Sequence, residues 1–222
     1  MIDEELLKYL ENFVTESRRL NFKEVLKNRT KHFSVVLENI FQSHNASAVV
    51  RSCDVFGIQD VYTIENSHVN KVSRRIAKGS QKWLDFHRYK SDTNNTQECF
   101  NEIKKQNYQI IVTTPHNDSC YLSDFDISKK SVFVFGVERE GVSDFMMENA
   151  DGYLKIPMVG FTESLNISVA AAIVLQDVTT RLRKSNVNWQ LTEKEQKEIY
   201  ARWVESSIKN VEQHKSLFYN QK

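Results

Sequence analysis

Residues Gly160 to Gln176 read GFTESLNISVAAAIVLQ. The second half has the apolar and small residues of a tightly packed helix. The first half sets Thr162, Glu163, Ser164 and Asn166 where the chain is about to enter a core, and a helix N-cap needs only one of them. Just upstream, residues 152–157 (GYLKIP) have the makings of a strand. Strand, polar loop and helix in succession form one unit of an α/β sheet. Outward from that unit the same alternation fills the middle of the chain. Strands are predicted at 33–39, 60–65, 83–89, 108–114, 131–137 and 152–157, and helices at 45–56, 71–78, 95–106, 143–149 and 164–183. This alternation implies an α/β fold with a mainly parallel sheet and helices on both faces. Ligands of such sheets bind beyond the carboxyl ends of the strands.

All 6 glycines and both prolines lie between Gly57 and Gly160, so the two ends are free to run as long helices. Leu6, Leu7, Leu10, Phe13 and Val14 repeat at helical spacing and predict a helix over 3–20. Thr192-Glu193-Lys194-Glu195 is a capping box, followed by an apolar stripe of Ile199, Trp203, Val204, Ile208 and Val211. The expected organisation is a helical N-terminal extension over 1–31, an α/β domain over 32–184 and a helical C-terminal extension over 185–222.

The 222 residues suffice for one sizeable α/β domain with extensions, and 40% hydrophobic residues supply a core. No apolar run approaches the roughly 18–20 residues of a membrane span. The acidic start, Met1-Ile2-Asp3-Glu4-Glu5, is unlike a signal peptide, so a cytoplasmic protein without a membrane partner is expected. Cys53, Cys99 and Cys120 form no C-x-x-C pair and no zinc spacing, and no metal site is expected.

Net charge is only +1, but the basic residues cluster. Arg18, Arg19, Lys23, Lys27, Arg29 and Lys31 are interrupted by Glu24 alone; Lys71, Arg74, Arg75, Lys78, Lys82, Arg88 and Lys90 by Asp85 alone. Such local excess is the footprint of a polyanion site, with a solvated face as the plain alternative. Trp83, Phe86, His87 and Tyr89, interleaved in the second cluster, tilt the balance towards RNA.

The common nucleotide and hydrolase motifs are missing. Gly136 to Gly141 begins like a P-loop, but the match fails at Val142, which stands before Ser143 where the phosphate-binding Lys is needed. There is no G-x-G-x-x-G and no G-x-S-x-G, and Ser164 has no histidine nearby in sequence. Three polar segments beside strand ends remain. In His44 to Arg51, Asn45 reads as an N-cap and Arg51 as a surface salt-bridge partner, or both serve a site. In Phe135 to Gly141, a Glu between glycines suggests close backbone approach to a ligand, or simply a charged turn. The segment from Thr162 to Asn166 is a functional loop or the entrance of a capped core helix.

Taken together, these segments carry a family resemblance. N-x-x-x-x-x-R at Asn45–Arg51, G-x-E-x-x-G at Gly136–Gly141, and I-P-M-x-G with S-L-N-x-S-x-A-x-A at Ile156–Gly160 and Ser164–Ala172 resemble the three motifs of the SpoU/TrmH branch of the SPOUT RNA ribose methyltransferases. Gly79-Ser80-Gln81-Lys82-Trp83 agrees with it, and the resemblance spans most of the chain, both helical ends included. It implies a deep C-terminal trefoil knot that binds S-adenosylmethionine, and a homodimer with its active site near the subunit interface. The implied activity is 2′-O-methylation of a ribose in tRNA, with guanosine 18 of the D-loop as the expected target and no DNA as partner. The alternatives are a ribose in ribosomal RNA and, in another class, a catalytically inactive knotted RNA-binding protein.

Carried over residue by residue, the catalytic set is Asn45, Arg51, Glu138, Ser164 and Asn166. The cofactor set is Thr113, Phe135, Gly136, Val137, Ile156, Met158, Gly160 and Leu165; RNA phosphates fall to Arg18, Arg19, Lys23, Lys27 and Lys82. Two roles stand open for Arg51: a base helped by a nearby phosphate, or a cation that lowers the hydroxyl's pKa and positions the RNA. The second is physically easier, because a guanidinium normally stays protonated.

Overall fold

Phe33-Ser-Val-Val-Leu-Glu38 is buried at every residue, as a strand covered on both faces must be. It is β1 of a seven-stranded sheet in a computed structural model that describes residues 3–40, 42–66, 77, 79–91, 94–115, 119–137 and 140–220. The other strands are β2 (Asp60–Ile64), β3 (Asp85–Tyr89), β4 (Gln109–Thr113), β5 (Cys120–Tyr121), β6 (Ser131–Phe135) and β7 (Gly152–Lys155). Their order in space is β3-β2-β1-β6-β4-β7-β5, and every pairing is parallel.

Alternate residues of the central strands feed two cores. Phe33, Val35 and Leu37, with Val61, Phe133 and Phe135, pack against α3 (Ser43–Val55) and α6 (Ile167–Arg183). Those helices contribute Ala46, Val49, Val50 and Cys53, and Ala171, Val174, Leu175, Val178 and Leu182. On the other face, Val36, Tyr62, Ile110, Val112, Val132 and Val134 lie against Cys99 and Ile103 of α4 (Asn95–Lys105) and Met146 of α5 (Asp144–Asn149). The expected parallel α/β sheet with helices on both faces is therefore present.

The differences from expectation have local causes. A 3-10 turn at Ser80–Lys82, exiting through Trp83, delays β3 to Asp85. Strand β5, only two residues long, is too short to leave a pattern in the sequence. The helix predicted over 71–78 lies outside the described residues except for Ala77, which is buried in the α3–α6 core.

Residues 30–189 form one compact unit, and 1–29 with 190–222 form a second. In the second, the helix expected over 3–20 is two helices, α1 (Glu4–Glu11) and α2 (Glu16–Leu26). Asp3 caps α1 by accepting from the Glu5 and Leu6 amides, and Thr15 caps α2 by accepting from that of Arg18 (3.4 Å). The C-terminal stripe divides likewise into α7 (Glu193–Ser207) and α8 (Val211–Asn220), with Asn210 left-handed between them (φ 53°). The capping box forms as expected at Thr192 and Glu195. Leu10, Phe22, Leu26, Ile199, Tyr200, Trp203 and Val204 are the buried apolar side chains of these helices. Phe22 meets Trp203 edge-on at 5.6 Å, and the Tyr200 hydroxyl donates to Glu11 Oε1 at 2.7 Å. No described helix is long and apolar enough to cross a membrane.

Candidate active site

Strands β1, β6, β4 and β7 are successive neighbours and run in the same direction, so the segments that follow them emerge along one edge of the sheet. All three polar segments singled out in the sequence are among them. The chain lays β2 and β3 to one side of β1 and β4 to the other, and β6 then fills the gap. This reversal of strand order is where open α/β sheets form their ligand crevice.

Helix α3 begins at Ser43, with Gln42 at the N-cap position and no side-chain cap bond. Asn45 is therefore not the cap its residue type suggests; it sits in the first turn and is buried. Its Nδ2 donates to Gln42 Oε1 (3.1 Å), and its Oδ1 accepts from Asn166 Nδ2 (3.2 Å). Asn166 is the N-cap of α6: its Oδ1 accepts from the Ser168 amide at 2.9 Å and the Ser168 hydroxyl at 2.6 Å. One asparagine pair thus joins the amino ends of two helices, from segments 121 residues apart in the chain. Both ends carry the partial positive charge of unpaired amides. Arg51 lies exposed on the face it shares with exposed His44 and half-buried Ala48, as its spacing predicts. Among the described residues no carboxylate forms an ion pair with it. Thr162, Glu163 and Ser164 are exposed in the loop between β7 and α6.

The loop after β6 is shaped by its glycines. Phe135 is buried in the core, so only its backbone is left to face the crevice. A Cβ on Gly136 would come within 2.0 Å of the Gly141 carbonyl oxygen. The close approach that glycine permits here is to the loop's own far end. There Val137 and Gly141 exchange two amide–carbonyl bonds of 2.9 Å, with Gly141 at φ +75°. Glu138 lies outside the described residues.

A residue not singled out in the sequence holds this loop. Glu38, the last residue of β1, is 1% exposed, and its carboxylate accepts from the Ser143 amide (2.9 Å), the Ser143 hydroxyl (2.8 Å) and the Thr96 hydroxyl (3.0 Å). The available signal was an acidic residue closing an otherwise apolar strand.

Around the rest of the crevice, Thr113 ends β4 and donates from Oγ1 to the Val134 carbonyl (2.8 Å). Ile156 is half-buried against the core, whereas Met158, Gly160 and Leu165 are exposed. A Cβ on Gly160 would meet nothing within 4 Å, so packing does not explain that glycine. Val159 and Phe161 are fully exposed at 104% and 108%.

The basic clusters divide between structural and surface roles. Arg18 and Lys23 are exposed, with Arg18 5.8 Å from the Phe22 ring and Lys23 5.8 Å from that of Tyr200. Lys27 pairs with Glu24, and half-buried Arg19 lies 3.9 Å from Glu11. Arg29 is buried and stacks on Trp203 at 5.4 Å, while Lys31 turns to Asp60 (3.4 Å) and Asp85 (3.7 Å). These two serve the fold. In the second cluster Lys71, Arg74, Arg75 and Lys78 lie outside the described residues; Lys82, Arg88 and Lys90 are exposed. Phe86, His87 and Tyr89 of this cluster are engaged internally, Tyr89 against the core on the other face of the sheet. His87 contacts Asp60 at 2.9 Å and stacks on Tyr62, and Phe86 packs on the core.

Comparison with known proteins agrees with this arrangement. The SpoU rRNA Methylase family matches residues 32–176. The tRNA (guanosine(18)-2'-O)-methyltransferase of Borreliella burgdorferi is 35% identical over 94% of this chain and 95% of its own. The crystal structure of the Aquifex aeolicus TrmH/SpoU tRNA modifying enzyme is 33% identical and superposes with a TM-score of 0.77, over 87% of this chain and 98% of that one. The SpoU methyltransferase AviRb from Streptomyces viridochromogenes, solved in complex with AdoMet, shares the fold at 24% identity, with a TM-score of 0.63 over 73% of this chain and 62% of that one. The sheet order, the convergent motif loops and the extent of these matches establish that the chain belongs to the SpoU methylase family.

Proposed function

We propose that the protein transfers a methyl group from S-adenosylmethionine to the ribose 2′-hydroxyl of guanosine 18 in tRNA. One observation carries this reading. The similarity to the Borreliella tRNA enzyme runs over 94% of the chain, well beyond the residues 32–176 common to the wider family. It therefore takes in the terminal helices, whose exposed Arg18, Lys23 and Lys27 suit a phosphate backbone. Arg19 and, in the α/β unit, Lys82 complete the proposed set.

The crevice suits the cofactor. Loops after β4, β6 and β7 offer main-chain groups at Thr113, Phe135, Gly136 and Val137, and at Ile156 and Gly160, with apolar side chains at Met158 and Leu165. Backbone polar groups and apolar surface are what a base and an aliphatic chain require. When bound, the cofactor supplies an electrophilic methyl group on a sulfonium. The chain's own task is to present the hydroxyl, which is a weak nucleophile at neutral pH. Arg51 stands free to reach RNA on the solvent face of α3, and as a fixed cation it favours loss of the hydroxyl proton to a phosphate or to water. Asn45 and Asn166 brace the two helix ends that frame the reaction, while Ser164 contacts the substrate from the exposed loop. Glu138 anchors the loop after β6.

The return of the chain from β7, beyond β4, to α6 beside α3 supports the C-terminal knot that the family resemblance implies. Exposed Val159, Phe161, Val169 and Ile173, contiguous in sequence with the active loop, support a homodimer with its sites near the interface.

The test is incubation with labelled cofactor and unmodified tRNA or ribosomal RNA, followed by mapping of the modified ribose. A single 2′-O-methylguanosine at tRNA position 18 is expected. Transfer to ribosomal RNA alone would move the substrate, and transfer to neither would leave an RNA-binding protein without this activity.

A further inference from the structure

The methyl-transfer machinery lies on two neighbouring segments: the one after β1 carries Asn45 and Arg51, and the loop after β6 carries the proposed cofactor contacts at Gly136 and Val137. What sets one against the other is Glu38. Burying a carboxylate is costly unless it is fully hydrogen-bonded, and an apolar residue at this position would complete the strand without that cost. Glu38 is satisfied by three donors, two from Ser143 and one from Thr96. Ser143 also caps α5, accepting from the Met146 amide (3.4 Å), so its position fixes where the loop after β6 ends.

The network extends further behind the carboxylate. Thr96 Oγ1 accepts from Asn66 Nδ2 at 2.8 Å, and the Asn66 amide donates to Asn39 Oδ1 at 2.8 Å. Asn39 is left-handed (φ 53°) and turns the chain out of β1 towards α3. The same polar chain therefore holds the residue that follows β1 and the end of the loop after β6.

We infer that Glu38 is a positioning residue for methyl transfer, holding Ser143, and with it the end of the segment after β6, so that Gly136 and Val137 keep their cofactor-binding geometry. The inference rests on the methyl-transfer reading of this crevice. Glutamine at this site keeps the Ser143 amide bond through its carbonyl oxygen and reverses the other two: its NH2 donates to the hydroxyls, whose own protons lose this acceptor. Alanine removes them all.

The experiment compares wild type, Glu38→Gln, Glu38→Ala and Ser143→Ala by steady-state transfer to tRNA and by equilibrium binding of S-adenosylmethionine. In Glu38→Ala, KM and Kd for the cofactor should rise about tenfold or more, as expected for loss of positioning, with kcat at saturating cofactor kept within about threefold. Glu38→Gln should stay within about threefold of wild type on both constants, and Ser143→Ala should fall between the two. An unchanged KM in Glu38→Ala overturns the assignment, as does a lower kcat at constant KM, because loss of folded enzyme alone gives that pattern. Equal damage from Glu38→Gln also overturns it. Should Glu38→Ala not fold, Ser143→Ala decides: a raised cofactor KM supports the role, and a wild-type KM removes it. If wild type transfers nothing to RNA, the methyl-transfer reading falls, while the variants' cofactor Kd values still decide whether Glu38 shapes the loop.

Discussion

On α3, Asn45 and Arg51 lie less than two turns apart yet have opposite fates: the amide is buried against Asn166, and the guanidinium faces solvent. That division fits a fixed bracing group beside a group that meets RNA. Of the two roles open to Arg51, the cation is the one we adopt, since a base must first shed a proton that guanidinium groups hold tightly. Arg51→Ala should then cost at least about a hundredfold in single-turnover transfer, comparable with losing one transition-state charge contact, while cofactor binding is kept. Arg51→Lys separates charge from shape. Lysine keeps the charge but not the planar fork, so it should restore only part of the rate. Full activity in Arg51→Ala would remove this residue from the centre.

Among the elements, β1 links two regions of different sensitivity: its carboxyl end leads into the active crevice, and its amino end follows His32. The His32 ring bonds the Ile127 carbonyl at 2.8 Å from Nε2. Burial, the leading cause, pulls its pKa below the ordinary value; the bond to Ile127 opposes this, and nearby Lys130 adds to it. The unfolded chain thus binds the proton more readily than the folded one. Stability is full above the ordinary histidine pKa of about 6.5 and declines as pH falls below it towards the depressed value. Urea unfolding between pH 7.5 and 5, to choose a range spanning that value, should show this decline, and His32→Gln, whose amide still donates to Ile127, should flatten it. Transfer measured at neutral pH should be unchanged. Much of this sheet was legible in the sequence because β1, β2 and β6 are unbroken buried runs that leave little choice of structure. Helix ends were less so. The spacing from Leu6 to Val14 passes straight over the break that Asn12 and Thr15 impose, and Asn45 has the residue type of a cap without the position. Least legible were the long-range polar contacts: Glu38 meets Ser143 across 105 residues, a pairing with no periodicity to betray it.

For the molecule as a whole, net charge of +1 says little about RNA, and the placement of individual cations says more. The cluster from Arg18 to Lys31 looked uniform in sequence, but Arg29 is buried on Trp203 and Lys31 answers Asp60 and Asp85. The exposed candidates for phosphate are Arg18 and Lys23, with Lys27 partly engaged by Glu24 and Arg19 by Glu11. Each phosphate a protein neutralises adds roughly 0.7–0.9 to the slope of log affinity against log salt. Replacing Arg18 and Arg19 together by Ala should therefore weaken tRNA binding and flatten that slope by about one to two contacts, nearer one if Glu11 keeps Arg19 from the RNA. Arg29→Ala is the informative contrast. It should lower the melting temperature, because packing on Trp203 is lost, yet leave the salt slope of the folded protein unchanged. Should the double variant bind with wild-type affinity and slope, Arg18 and Arg19 are a solvated face, and the proposed role of the terminal helices in tRNA binding would have to rest on other side chains.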